Sequence, residues 1–398
     1  RVDLAQSRGY FYVHDVYVGT GMEAVERGAV KYLRVVESPE KRFWTHPSWP
    51  GQGQEAPAMN WHDFNNKRIL GTVPVDADGS AYFAVPADRF VYFQLLDADG
   101  LMVQSMRSGV TARPGETTGC IGCHEERTTG LPVGETKQAY SRPPQDLQPW
   151  YGEPRLFSYA AEVQPVFDRS CLRCHDFGQA GAEKLNLAGD RGLAFNRSYN
   201  ELWRKGYIHV VGAGPADIQK PYSWGSHASK LLSSLRSSHK RGDLDEEGFD
   251  RIVTWIDLNA PYYPTYASAY PGSLYGRSPL TREQLARLGE LAGIDFLDGK
   301  NDYEDEMQIS FDRPELSPCL ASLEPGEPSY TEALAIVRAG ADLLAQRPRA
   351  DMPGFTPASV DVAREEKYRG LQSLAEQVLQ GMLAGERVYP FRPDPPGQ

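Results

Sequence analysis

Apolar and polar positions follow two different periods along this chain. Through residues 15–110 they tend to alternate every second position, as in Val91-Tyr92-Phe93-Gln94-Leu95, where Val91, Phe93 and Leu95 would share one face of a strand and Tyr92 and Gln94 the other. That alternation predicts a half-buried antiparallel sheet. Strands are expected over 15–18, begun by His14, and over 30–36, 68–75, 81–85, 90–96 and 101–106. The turn dipeptides Asp78-Gly79 and Asp99-Gly100 predict hairpins. Asp76-Ala77-Asp78-Gly79 has the opening of a calcium loop, but no glutamate closes it at the twelfth position, so it reads as a tight turn.

Further along, the period lengthens to that of a helix. Residues 157–167 predict one helix, and Phe249, Ile252, Val253 and Ile256 mark another, opened by the acids Asp245, Glu246 and Glu247 that suit its positive end. Ser329-Tyr330-Thr331-Glu332 has the form of a capping box ahead of a face made by Leu334, Val337, Ala341 and Leu344. A longer helix is expected over 362–383, its stripe of Leu371, Leu374, Val378, Leu379 and Met382 packing against the rest of the protein. Residues 114–151 show little periodicity, 260–279 read as a Tyr- and Pro-rich linker, and 389–398 as a Pro-rich extended arm. The expected fold is therefore α+β and multidomain. An N-terminal antiparallel β-sandwich occupies 1–113, a mainly α central region 114–265, and a helical C-terminal part 266–398.

Composition narrows the class of protein. With 40% hydrophobic and 24% charged residues in 398, the chain is a folded one. Forty-two Lys and Arg against fifty-three Asp and Glu leave −11, which repels phosphate backbones and argues against nucleic acid as a partner. No apolar run approaches the roughly 18 residues of a membrane span. The sequence starts at Arg1 without a basic-then-apolar leader, as expected where a signal peptide or an upstream part has been removed.

Five cysteines form an odd set, which an all-disulfide framework does not accommodate. Four of them fall into Cys120-Ile121-Gly122-Cys123-His124 and Cys171-Leu172-Arg173-Cys174-His175, two copies of C-x-x-C-H set 51 positions apart. This is the attachment pattern of c-type haem. Two thiols three positions apart reach the two vinyl groups of one porphyrin, and the next histidine lies where its imidazole takes one axial position on the iron. A zinc site or a redox dithiol needs no histidine after the second thiol, yet both copies have one. Two covalent haems are expected, with Cys120, Cys123, Cys171 and Cys174 as attachment points and His124 and His175 as ligands. Cys319 has no cysteine or histidine near it in sequence and reads as a buried thiol acting as a small hydrophobe.

The second axial ligands come from the remaining donors: His14, His46, His62, His209, His227 and His239, or methionine. The order of haem motif, short helix over 229–235, Ser238-His239-Lys240-Arg241-Gly242 and closing helix resembles a small cytochrome c domain, and His239 stands where such domains carry their axial methionine. His239 is the expected ligand of the second haem, with His227 behind it. For the first haem the candidates are His62, among aromatic neighbours, and His14, His227, Met102 and Met106, or an open five-coordinate iron.

Several segments are similar to the middle and C-terminal region of the hydrazine synthase alpha-subunit family. They are Asp78-Gly79-Ser80-Ala81-Tyr82-Phe83, Gln94-Leu95-Leu96-Asp97, Met106-Arg107-Ser108, the first haem motif from Gly119 to Glu125, and Trp255-Ile256-Asp257-Leu258-Asn259-Ala260-Pro261-Tyr262-Tyr263. The resemblance implies a dihaem protein in which a β-propeller often precedes the cytochrome part. It also implies a tyrosine serving the first iron one helical turn past the motif histidine. Here that position is Thr128, which favours His124 as an ordinary proximal ligand.

The leading expectation is a periplasmic or extracellular electron-transfer protein whose partners are redox proteins or further copies of itself. Subunits stacked through haem-exposing faces would give a filament, because a heterologous interface that does not close propagates. The alternative is an oxidoreductase whose five-coordinate first haem acts on a small nitrogen or peroxide substrate, in the manner of a hydrazine synthase or a peroxidase.

Overall fold

The computed structural model describes residues 2–41, 66–123, 130, 135–211, 217–237, 244–297 and 303–386. His46, His62, His124, Thr128, His239 and the 389–398 arm lie outside these residues. The fold is α+β, with two sheets followed by helices.

Among the described residues, seven strands make the sandwich: β1 (Arg8–Val13), β2 (Tyr32–Glu37), β3 (Arg68–Pro74), β4 (Ala81–Pro86), β5 (Val91–Leu96), β6 (Met102–Ser105) and β7 (Thr117–Cys120). One sheet has the order β3-β2-β5-β6 and is antiparallel throughout. The other has the order β4-β1-β7, and here β7 runs parallel to β1, so the sandwich is not purely antiparallel as expected. Residues 14–116 separate β1 from β7, far more than the crossover that a parallel pair needs. Phe11, Val35, Phe83, Phe93 and Val103 fill the space between the sheets.

Three local expectations change. Residues 15–18 do not form a strand; β1 ends at Val13, and the backbone beyond it bonds to the loop after β7 instead. The turn at Asp97–Gly100 closes the β5–β6 hairpin, whereas Asp76–Ser80 carries the chain from one sheet to the other. Asp76 in that turn is paired through both oxygens with Arg142, at 2.9 and 2.6 Å, in keeping with turn chemistry. The β5 face that carries Gln94 is buried too, because helix α6 (Glu246–Asp257) covers it. Buried Arg34 donates to Gln94 Oε1 (3.2 Å) and Thr254 Oγ1 (2.8 Å), and Gln94 Nε2 donates to the Asp257 carbonyl (2.6 Å). Alternation reports a polar side chain, and a hydrogen-bonding helix can bury it.

The expected helix at 157–167 is two pieces, α1 (Tyr159–Glu162) and α2 (Gln164–Ser170), because Pro165 sits in the first turn of the second. A single turn, α3 (Leu172–His175), follows directly, then α4 (Arg197–Arg204) and α5 (Lys230–Arg236). Helix α6 is capped by Asp245, whose side chain accepts from the Gly248 amide, and it buries Ile252, Val253 and Ile256 as its period requires. Residues 260–279 are not a loose linker: Tyr262, Tyr263, Tyr266 and Tyr270 are buried, and the first two join an aromatic core with Tyr159, Phe195, Tyr199 and Trp255.

The C-terminal part comprises α7 (Arg282–Ala292), α8 (Tyr303–Glu306), α9 (Pro328–Gln346) and α10 (Ser359–Leu383). Helix α9 starts at Pro328, not after Ser329, since proline is preorganised for the first helical position; the expected capping box does not form. Its Leu334, Val337 and Leu344 are buried with Leu285 and Leu288 of α7. Cys319 is 2% exposed in this same core, and burial pushes its thiol up to about 12. Helix α10 overturns the expected packing of its stripe: Leu371, Leu374, Val378 and Met382 are 52, 46, 42 and 59% exposed. Apolar periodicity marks a face, and on α10 that face looks outward.

Candidate functional site: two cysteine-lined cavities

The second thiol pair is built by helix geometry. Cys171 ends α2 and begins α3, with its amide donating to the Phe167 carbonyl (2.8 Å). Within that turn Cys174 and His175 follow by three and four residues, which sets all three side chains on one side. They line a concavity of ≈ 1090 Å³, counted to its open mouth, with Phe167, Leu187, Tyr207, Leu231 and Leu235. His175 Nδ1 donates to the Leu185 carbonyl at 2.7 Å. That bond places the ring proton on Nδ1 and the lone pair on Nε2, the state a metal-binding imidazole needs. The chain can wrap from His175 to Leu185 only because residue 181 is glycine; a Cβ there would collide with the Cys174 carbonyl and lie 3.1 Å from His175 Nδ1.

The first thiol pair is held by backbone. Cys120 closes β7 opposite Val13 of β1. Beyond the strands, His14 and Asp15 donate to the carbonyls of Cys120 (2.8 Å) and Ile121 (2.9 Å), and Cys123 donates to Val18 (2.8 Å). Gly122 abuts the Val18 carbonyl, where a Cβ has no room. Residues 14–18 thus serve as a template for the motif, which explains why they do not form a strand of their own. Cys120 and Cys123 line the first motif's own concavity, ≈ 1300 Å³ to its mouth, walled by Val13, Val16, Leu33, Phe93, Leu95 and Met106.

The two thiol pairs therefore face different cavities, each with an apolar wall, and do not converge on one ion. Among the described residues, no group of three or more His, Cys, Asp and Glu side chains is placed to hold a metal. Apolar cavities with paired thiols, and at Cys171 and Cys174 an oriented imidazole, fit a thioether-bound haem. The Ser170 hydroxyl, buried on the second cavity's wall, has no hydrogen-bond partner among the described residues, so this wall leaves a polar atom for a bound group to satisfy. Arg173 and Lys184 on the same wall supply positive charge for carboxylates.

The other donors separate clearly. His14 points away from the first cavity: it is 3.3 Å from the Tyr12 hydroxyl and 3.5 Å from Glu135, while Tyr12 stacks on Tyr140. His227 lines neither cavity and lies 3.0 Å from Asp97 Oδ2. His209 is exposed. Met102 is buried with Leu96, Val211 and Trp224, apart from both thiol pairs. Met106 alone of these lines a thiol-bearing cavity. Sequence reasoning had not singled out Arg313, which reaches from the C-terminal part to both oxygens of Asp176 (2.9 and 2.6 Å), next to His175, and to Asp190. Nothing in the local pattern around Arg313-Pro314 signals that contact.

Comparison with known proteins finds similarity over part of the chain. Residues 28–125 match the family described as the hydrazine synthase alpha subunit middle domain, a span that runs from β2 through Cys120 and Cys123. The chain is 23% identical over 331 residues to hydrazine synthase subunit alpha of Kuenenia stuttgartiensis, 61% of this chain and 40% of the relative. A solved structure of Kuenenia stuttgartiensis hydrazine synthase superposes with a TM-score of 0.46 and 17% identity over 65% of this chain and 43% of that chain. The chain is thus similar to part of a hydrazine synthase alpha subunit, and it spans less than half the length of the relatives it matches.

Proposed function

We propose that the protein is a dihaem c-type cytochrome that passes electrons between redox partner proteins outside the cytoplasm. The observation that carries this is the coincidence of both C-x-x-C pairs with apolar cavities, one pair per cavity. A covalently bound haem supplies a one-electron iron couple, and the protein sets its potential through ligands and burial.

The chain's own residues do the rest. Cys171 and Cys174 tether the second group, and His175 is held in the metal-binding tautomer by Leu185. Leu187, Tyr207, Leu231 and Leu235 exclude water, which favours the less charged redox state. His239 is the proposed second ligand; it lies outside the described residues, while Ser237 and Leu244 on either side of 238–243 both line the cavity. At the first motif, Cys120 and Cys123 tether and His124 ligates. Attachment to such motifs takes place outside the cytoplasm, which implies a periplasmic or extracellular protein. No described helix is long and apolar enough to cross a membrane.

A second reading has one observation in its favour, the similarity to a hydrazine synthase subunit. Under it the first iron is five-coordinate and acts on a small nitrogen or peroxide substrate. Spectra of the oxidised and reduced protein separate the two. Two low-spin haems that bind no carbon monoxide support the electron carrier; a high-spin haem that binds it supports the enzyme.

A further inference from the structure

We infer that the Met106 thioether is an axial ligand of the first haem. This rests on the haem reading above and adds to it the ligand that sequence left open. The first cavity contains the thiols of Cys120 and Cys123, and among the other described residues that line it Met106 carries the one soft donor. Haem iron in electron carriers takes sulfur or imidazole nitrogen as its axial pair, and the hard oxygens of Gln104, Ser105 and Ser108 on the same wall are poor substitutes.

Position and preorganisation both favour Met106. It follows β6, and its amide donates to the Phe93 carbonyl at 3.0 Å. Its sulfur in turn accepts from the Phe93 amide at 3.4 Å, which holds the thioether in place. A thioether sulfur has two lone pairs, so accepting that amide leaves the second for iron. Met106, Cys120 and Cys123 all pack against the same sandwich core. Met102 lacks this geometry: its sulfur accepts from Gln94 Nε2 at 3.3 Å within a separate cluster beside Trp224. His14 and His227 face Tyr12 and Asp97 respectively. A Met-ligated first haem beside a second haem with two imidazoles gives the pair unequal potentials, the first higher, since methionine raises the potential relative to a second histidine.

The test uses the full-length holoprotein with Met106→Ala and Met106→His, and mass analysis of the peptide bearing Cys120 and Cys123. The wild type is expected to show the sulfur-to-iron charge-transfer band of ferric Met-ligated haem in the far red. Met106→Ala loses that band, and one of its two haems binds carbon monoxide once reduced. Met106→His loses the band yet stays low-spin, and its higher potential falls. A wild-type spectrum without the band, or a band that survives in either variant, overturns the assignment, as does a first haem whose low-spin state is lost on His62→Ala. If Met106→Ala does not fold, the wild-type band and the histidine exchange decide. A Cys120–Cys123 peptide without haem mass refutes the haem reading itself, and with it this ligand; a haem-bearing peptide with an unchanged spectrum refutes the ligand alone.

Discussion

Glu306 offers a sharp test of how the C-terminal part is joined to the rest. Its side chain is 0% exposed. Oε1 accepts from the amides of Ala194 (2.7 Å) and Phe195 (2.6 Å), while Oε2 lies 3.0 Å from the first of these. Arg349, the buried cation nearby, is engaged by both oxygens of Asp351 and by the Gly192 and Leu193 carbonyls. Burial dominates and raises the Glu306 carboxyl from 4.5 to about 8. The folded protein then holds a proton through a range of pH in which the unfolded chain has released it. Stability contributed by this proton is full below the unfolded value and is lost as pH rises through the folded one. Between pH 5 and pH 8, linkage gives a loss of about 3–4 kcal/mol from this group alone. Glu306→Gln keeps the Oε1 acceptor for the Ala194 and Phe195 amides and removes the titration. Urea denaturation of wild type and variant at pH 5 and pH 8 measures the difference. The variant should gain on wild type by roughly that 3–4 kcal/mol on going to pH 8. Equal stability changes in the two proteins, or a variant that loses ground as pH rises, would refute the reasoning.

Three further outcomes follow from packing. Gly181→Ala forces a Cβ against the Cys174 carbonyl, so mass analysis should find reduced haem attachment at Cys171 and Cys174 with attachment at Cys120 and Cys123 retained. Cys319→Ser places a hydroxyl in an apolar core and should cost about 1–3 kcal/mol in urea denaturation, and the native thiol should resist alkylation until the protein unfolds. Leu371→Glu on the outward face of α10 should change stability by no more than about 0.5 kcal/mol; a loss of several kcal/mol would mean that this stripe packs into a core.

What could be read from sequence and what could not divide along physical lines. The two C-x-x-C-H motifs were legible because five consecutive residues carry each of them. Strands such as β5 and helices such as α6 were legible because a single period runs through them. The parallel pairing of β7 was not, since a four-residue Thr-Thr-Gly-Cys strand has no alternation to detect. Helix α7 was missed although Thr281-Arg282-Glu283-Gln284 carries the capping-box pattern that the structure shows formed. Residues 260–279 misled through composition: tyrosine and proline suggest a linker until the rings find an aromatic core. The stripe on α10 has the same period as that on α9, and only tertiary contact distinguishes a buried face from an exposed one. Likewise, Met102 and Met106 are alike in sequence, yet Met102 opens β6 and packs beside Trp224, whereas Met106 follows β6 and lines the cavity of the first thiol pair.

The central claim is that each cavity holds a haem bonded to its own pair of thiols. Mass spectrometry of protease fragments from protein matured in a host with cytochrome c assembly tests it directly. The account predicts one haem mass on the fragment with Cys120 and Cys123, one on that with Cys171 and Cys174, and an unmodified Cys319. Fragments whose four motif cysteines all alkylate after unfolding, with no haem mass on either, would contradict it.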